Sequence, residues 1–206
     1  MTRPLLLGIL AMAAIVVASN VLVQFLVGDW LTWGAFTYPF AFLVTDLMNR
    51  LYGPSQARRV VLVGFAVGIV CSLIGSQIEG EFGPLVSVRV ALGSGIAFLS
   101  AQLLDVFVFD RLREGAWWRA PFVSSLFGSA LDTAIFFTIA FSASLSWISP
   151  GTDVAWANAT VPLLGLGPVV PIWMSLAVAD FGVKLALALI ALIPFRLAVR
   201  RLTALA

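Results

Sequence analysis

Five ionisable side chains, Asp46, Asp105, Asp132, Asp180 and Lys184, stand inside stretches that are otherwise apolar. An ionised group in hydrocarbon costs about 2.5–3.5 kcal/mol on insertion scales, so such groups turn toward a protein interior and mark function. Asn20, Gln24, Asn49 and Gln102 are costly uncharged companions in the same kind of surroundings. The chemistry these types can do is recognition. A carboxylate accepts two neighbouring N–H donors at once. An amide meets a carbonyl or an amine, and an ammonium offers three donors. Bond-making chemistry has little to stand on. The chain has no histidine, which excludes imidazole metal sites and histidine-based triads. The GxxxxGK[ST] phosphate loop is absent. An aspartyl pair shared between two helices is the only enzymatic arrangement left, and it lacks paired Tyr-Asp and Gly-x-Gly-Asp motifs.

Spacing assigns these groups to depths. A helix rises about 1.5 Å per residue. Counted from the nearest basic residue, Asp46 lies about 6 Å above Arg50 and Asp105 about 9 Å above Arg111. Asp132 lies about 20 Å above Arg119, and Lys184 about 18 Å above Arg196. Asp180 is about 24 Å above Arg196, and Asn20 about 25 Å above Arg3. Asp132 and Lys184 therefore share a depth near the middle of a bilayer. Asp180 and Lys184 are four apart, as are Asp46 and Arg50, and residues at that spacing share a helix face. The expectation is a triad in which Lys184 serves Asp180 and Asp132 and lines a polar cavity. For Asp46 and Arg50 the expectation is a neutralising pair. Gln102 and Asp105, three apart, share one face, and Ser125, Ser129, Asp132 and Phe136 another.

The elements that carry these residues follow from composition. Of 206 residues, 61% are hydrophobic and 11% charged, with mean hydropathy +1.06. A soluble domain is about a quarter charged. Soluble enzymes, nucleic-acid readers and disordered tails are excluded, and an all-α polytopic membrane protein is the fold class. A crossing needs roughly 20 apolar residues. Six stretches qualify, at about Pro4–Val27, Gly34–Leu51, Val60–Ile78, Val88–Phe109, Pro121–Leu145 and Pro171–Phe195. The second is the weakest, interrupted by Thr45, Asp46 and Asn49, and it opens on Tyr38-Pro39. Six crossings put Arg3, Arg50, Arg58, Arg59, Arg111, Arg113, Arg119, Arg196, Arg200 and Arg201 on one side. The other side receives Arg89 with Asp29, Glu79, Glu81 and Asp153. Positive residues stay cytoplasmic, so both termini are expected in the cytoplasm. The first span is too long for a signal core and is expected to remain uncut. Trp30, Trp33, Trp147, Trp156 and Trp173 fall near the outer boundary and Trp117 and Trp118 near the inner one, as an aromatic belt does.

Other features carry smaller expectations. Cys71 reads as a small buried hydrophobe. Residues 146–170 hold repeated Pro and Gly and read as an outer surface loop or a lid over an entrance. Arg89 is expected to bind Glu79 or Glu81, or to draw in an anionic or carbonyl-bearing ligand. Gly64, Gly68, Cys71, Ser72 and Gly75 form a small-residue stripe suited to internal packing, a partner or a homodimer. A single membrane domain spans the chain, with no cofactor expected.

An ordered set of motifs resembles the queuosine precursor transporter family. It comprises Thr32-Trp33-Gly34-Ala35-Phe36-Thr37-Tyr38-Pro39-Phe40, Phe42-Leu43-Val44-Thr45-Asp46, Tyr52-Gly53 and Ala57-Arg58-Arg59. Ser19-Asn20 and Val23-Gln24 precede it. Gln102-Leu103-Leu104-Asp105-Val106, Phe109-Asp110-Arg111, Trp117-Trp118, Ser124-Ser125-Leu126-Phe127-Gly128, Asp132-Thr133, Phe136-Phe137, Ala179-Asp180 and Lys184 follow. The order covers nearly the whole chain. Asp110 departs from the usual uncharged residue, at the cytoplasmic edge and away from any binding position.

The resemblance implies a multi-pass importer of the bacterial inner membrane, with likeness to the six-helix substrate-binding subunits of energy-coupling-factor vitamin importers. Its small-molecule substrates would be 7-cyano-7-deazaguanine and 7-aminomethyl-7-deazaguanine; its partner is the lipid bilayer, with no nucleic acid. The alternative is a vitamin-importer subunit that needs a separate ATP-hydrolysing partner. The residues suit a deazaguanine. Its adjacent N–H and amino group match one carboxylate, and its flat ring stacks on aromatic side chains. The expected binding set is Asn20, Gln24, Tyr38, Asp46, Gln102, Asp105, Asp132, Phe136, Asp180 and Lys184. One of Asp132, Asp105 or Asp46 grips the guanine edge, with Asp132 the first choice for its depth and Asn20 and Gln102 in support.

Overall fold

The computed structural model describes residues 3–81 and 83–204. Among the described residues, five helices are long and apolar enough to cross a membrane. They are α1 (Arg3–Leu22), α4 (Pro54–Gly75), α5 (Val88–Leu112), α6 (Arg119–Phe141) and α8 (Ile172–Thr203). The second expected span is not a sixth long helix. It is split into a single turn, α2 (Trp33–Thr37), and the 13-residue α3 (Phe40–Tyr52). The reason is Pro39, which has no N–H to continue the ladder. Tyr38 and Pro39 keep right-handed helical dihedrals, so the two pieces meet at a kink, not at a loop.

Local chemistry sets the other boundaries. Gly53 adopts φ +85°, which reverses the chain between α3 and α4, and Pro54 opens α4 at a position where its missing N–H costs nothing. Ser87 caps α5 by accepting the Val90 N–H at 3.3 Å. Three short hairpins close the outer ends: β1 (Leu26–Val27) with β2 (Leu31–Thr32), β3 (Glu79–Gly80) with β4 (Gly83–Pro84), and β5 (Thr160–Pro162) with β6 (Val169–Pro171). The 146–170 segment is a structured surface connection, with a short helix α7 (Ala155–Asn158) before its hairpin. The last helix runs past the expected end at Phe195, through Pro194, and carries Arg196, Arg200 and Arg201 on its final turns.

Apolar side chains line both sides of the helices, because lipid is the outer solvent. Leu7, Leu10, Leu62, Leu73, Ile190 and Ile193 point outward. Inward, Met12, Val16, Met48, Val60, Val61, Phe98 and Val106 form a core among α1, α3, α4 and α5. Phe109, Ala120 and Phe195 form a second one at the arginine-rich end. The small-residue stripe on α4 is spent on this internal packing. A Cβ on Gly64 would lie 2.6 Å from Met12 and one on Gly75 2.5 Å from Val86, so those helix faces are covered. On α6, a Cβ at Gly128 would lie 2.7 Å from the Phe42 ring, so glycine there lets α3 approach α6.

Two polar expectations are overturned. Arg89 is fully buried and binds neither Glu79 nor Glu81, which sit exposed on the β3–β4 hairpin. Its Nε donates to the Ile139 carbonyl at 2.9 Å and its Nη2 to the Ser142 carbonyl at 2.6 Å. The last turn of a helix leaves carbonyls unsatisfied, and a cation there also meets the negative end of the helix dipole. Asp46 and Arg50 do not form an ion pair either. Arg50 reaches down to the Arg113 carbonyl at 2.7 Å, while Arg113 in turn holds Asn49 at 2.6 Å.

Candidate functional site

The kink between α2 and α3 positions the centre of the molecule. Thr37 shares a hydrogen bond with Ser19 of α1 at 3.0 Å, which fixes the turn just before Tyr38. From there the Tyr38 hydroxyl donates to Asp132 Oδ1 of α6 at 2.8 Å. Lys184 of α8 donates to the other oxygen, Oδ2, at 2.6 Å, and to Asp180 Oδ2 at 2.5 Å. Its third donor meets Thr133 Oγ1 at 3.0 Å, and the Thr133 hydroxyl passes its own proton to Asp180 at 2.9 Å. The Lys184 ammonium also lies 5.4 Å from the centre of the Tyr38 ring. Lysine has three N–H donors and all three are used. The triad read from depth and spacing is therefore assembled, with Tyr38 and Thr133 completing it.

Nearer the arginine-rich end is a second buried group. Asp46 of α3 is 3% exposed and Asp105 of α5 is fully buried. The Thr45–Gln102 bond at 2.6 Å and the Asn49–Val106 bond at 3.0 Å tie α3 to α5 on either side of them, which brings the two carboxyls into one layer. Asp46 receives the Ser124 hydroxyl at 3.2 Å and the Ser125 hydroxyl at 3.4 Å, both long. No N–H or O–H donor among the described residues is directed at either oxygen of Asp105. Gln102, one helical turn before Asp105, takes the Thr45 hydroxyl on its Oε1 at 2.6 Å, and its Nε2 has no partner. Thr45 has one hydroxyl hydrogen and also meets the Ala41 carbonyl at 3.0 Å, so the opposite amide orientation, with Nε2 donating to Thr45, fits as well and leaves Oε1 as the atom without a partner.

Two cavities flank Tyr38 and Pro39. The outer one, about 50 Å³, is walled by Tyr38, Phe65 and Phe98, with Asn20, Ser72 and Ser94 as its polar groups. The inner one, about 10 Å³, is bordered by Pro39, Phe42, Asp46, Ser125, Ser129 and Lys184. Asn20 donates its amide N–H to the Val16 carbonyl at 2.9 Å, and the residue borders the outer cavity.

The expected residues thus divide. Tyr38, Asp132, Asp180 and Lys184 come together; Asp46, Asp105 and Gln102 form the second group; Asn20 lines the outer cavity. Gln24 is not brought in, being exposed in the turn after α1. Phe136 stacks edge-on against Phe137 and Phe141, one turn beyond Asp132 on α6. Sequence reasoning passed over Thr45, Phe65 and Phe98. A phenylalanine in an apolar span gives no signal of its own. Thr45 did give one, since it precedes Asp46 within a span where few polar residues occur.

Comparison with known proteins shows the family. The model of a family described as putative vitamin uptake transporter matches residues 32–199, from the start of the kinked element through α8. The queuosine precursor transporter of Escherichia coli (strain K12) is 36% identical over 197 residues, covering 87% of this chain and 79% of that protein. A probable queuosine precursor transporter of Haemophilus influenzae is 41% identical over 121 residues, covering 53% and 52%. Another, of Bacillus subtilis (strain 168), is 27% identical over 191 residues, covering 83% and 72%. No solved structure gives a significant match. With the family model spanning α2 to α8 and a relative of this identity aligned over most of both chains, the protein belongs to the queuosine precursor transporter family and is a membrane transporter.

Proposed function

We propose that the protein imports 7-cyano-7-deazaguanine and 7-aminomethyl-7-deazaguanine across the bacterial inner membrane, working without an ATP-hydrolysing partner. The names of its relatives support the substrate class. The observation that carries the site is the double position of Tyr38. Its ring walls the outer cavity, and its hydroxyl occupies one oxygen of Asp132. The outer cavity widens to admit a flat bicyclic base between Phe65, Phe98 and Tyr38, where stacking contributes about 1–3 kcal/mol per base. Asn20 offers an amide at the rim. When Tyr38 swings aside, the freed Asp132 carboxylate accepts the ring N–H and the amino group together. Lys184 and Thr133 hold Asp132 and Asp180 in register for that exchange.

In this reading the chain crosses six times. The kinked pair α2–α3 is the second crossing, too short in either piece but spanning 33–52 when taken together. The arginines at the start of α1, between α3 and α4, between α5 and α6 and at the end of α8 then share the cytoplasmic side. The six-helix plan and a central polar site are what likeness to vitamin-importer binding subunits would require.

Uptake of labelled 7-cyano-7-deazaguanine tests the reading in cells lacking their own importer and in liposomes holding the purified chain. Wild-type protein is expected to transport in both. Asp132→Asn and Phe98→Ala are expected to cut uptake by an order of magnitude or more at equal membrane abundance, about 1.4 kcal/mol or more of binding. Near-normal uptake by Asp132→Asn overturns the site. Transport in cells but never from the purified chain points instead to an energised partner.

A further inference from the structure

The Asp46–Asp105 pair has no role in the scheme above, and its surroundings do not neutralise it. Every cation near it is engaged elsewhere. Lys184 of α8 spends its three donors on Asp132, Asp180 and Thr133. On α3, Arg50 is held by the Arg113 carbonyl. Arg113, at the end of α5, is bound to Asn49 and to Asp110, and Arg111 lies over the Phe107 ring. From α6 come only the Ser124 and Ser125 hydroxyls and, higher up, Asp132, whose oxygens are taken by Tyr38 and Lys184. The titratable groups of α1 and α4 are Arg3, Arg58 and Arg59, exposed at the cytoplasmic ends, and Cys71 near the outer end of α4.

Two carboxylates side by side and out of water repel when both are ionised, and one proton between them removes the repulsion. The fully buried Gln102 amide sits one turn before Asp105, tied to Thr45 at one end and without a partner among the described residues at the other. Asp46 borders the inner cavity, whose volume of about 10 Å³ is room for about one water.

We propose that Asp46 and Asp105 form a proton-binding site, and that downhill entry of this proton drives accumulation of the substrate. The inference rests on the transport reading. In loading, a hydronium ion in the inner cavity gives up a proton to a carboxylate oxygen. One O–H bond breaks, another forms, and water remains. Release returns the proton to a water molecule on the cytoplasmic side.

The test uses the purified full chain in liposomes with a pH-sensitive dye inside and labelled 7-cyano-7-deazaguanine outside. An acid-outside gradient is expected to raise initial uptake several-fold, and added substrate is expected to acidify the lumen. Asp105→Asn should bring acidification per substrate down to the liposome background. In detergent, the wild type should show a protonated-carboxyl infrared band that is missing in Asp105→Asn. Uptake that ignores the pH gradient, or that follows a sodium gradient instead, overturns the proton site and leaves the transport reading standing. Failure of wild-type protein to take up substrate under any gradient removes the transport reading, and the proton site with it. The wild-type dye response decides the matter even where the variant does not fold.

Discussion

The two buried polar groups of this molecule are built from the same residue types and satisfied to opposite degrees. Around Lys184, two carboxylates share one ammonium, and Tyr38 and Thr133 add hydroxyl donors. Around Asp105, two carboxyls face each other with two long serine contacts on Asp46 alone and a glutamine amide with one end free. In low dielectric an unpaired polar group costs far more than it does in water. The first group is therefore a lock, stable while every partner is present. The second is short of donors, so its balance of charge depends on fewer partners. A transporter needs both: a framework that resists the bilayer and a place where occupancy changes energy.

Removing the charge that holds the lock should have the largest effect. Lys184→Met leaves Asp132 and Asp180 facing each other without a cation, and breaking a buried pair in this way costs about 3–5 kcal/mol. We expect sharply reduced abundance in the membrane and a lower thermal midpoint in detergent. A normal midpoint would show that the triad does not hold the helices together. Tyr38→Phe comes next. It strips one donor from Asp132, and a hydrogen bond to a charged group contributes about 1.5–3 kcal/mol. Chemical unfolding of the solubilised protein should register that loss.

The contrast is sharpest in a matched pair of substitutions. Asp132→Asn should destabilise, because Lys184 loses a counter-charge. Asp105→Asn should leave the midpoint unchanged or raise it, because an amide supplies the donor that the pair lacks. Equal losses in the two variants would erase the distinction drawn between the groups. The smallest effect is expected for Ser125→Ala, whose 3.4 Å contact to Asp46 is worth about 0.5 kcal/mol at most. A loss several times larger, measured by the same unfolding assay, would mean that Asp46 is held more firmly than its geometry indicates.

Depth was legible in the chain; direction was not. The common level of Asp132 and Lys184 followed from a fixed rise per residue, and the two side chains meet. The same count put Asp46 and Asp105 in one layer, but nothing in the order of residues said that they would face each other. The failures share a cause. Asp46 and Arg50 satisfy the spacing of an ion pair, yet a carbonyl at the end of α5 competed for the guanidinium and won. Arg89 was matched to the acidic residues nearest in sequence. The unsatisfied carbonyls at the end of α6 were a stronger attraction for a buried cation. Gln24 belongs to the family motif but falls beyond the end of α1, where the chain turns into a hairpin.

The order of residues alone established the membrane as solvent, the long helices and the layers at which charge would be buried. These depend on one-dimensional quantities: apolar length, residue spacing and the position of cations. The rotation of each helix about its axis, the kink at Pro39 and the closeness of α3 to α6 at Gly128 were settled only by packing. Those choices decided which carboxylate found an ammonium and which found another carboxylate, because the strength of a buried charge contact depends on angle and distance in three dimensions.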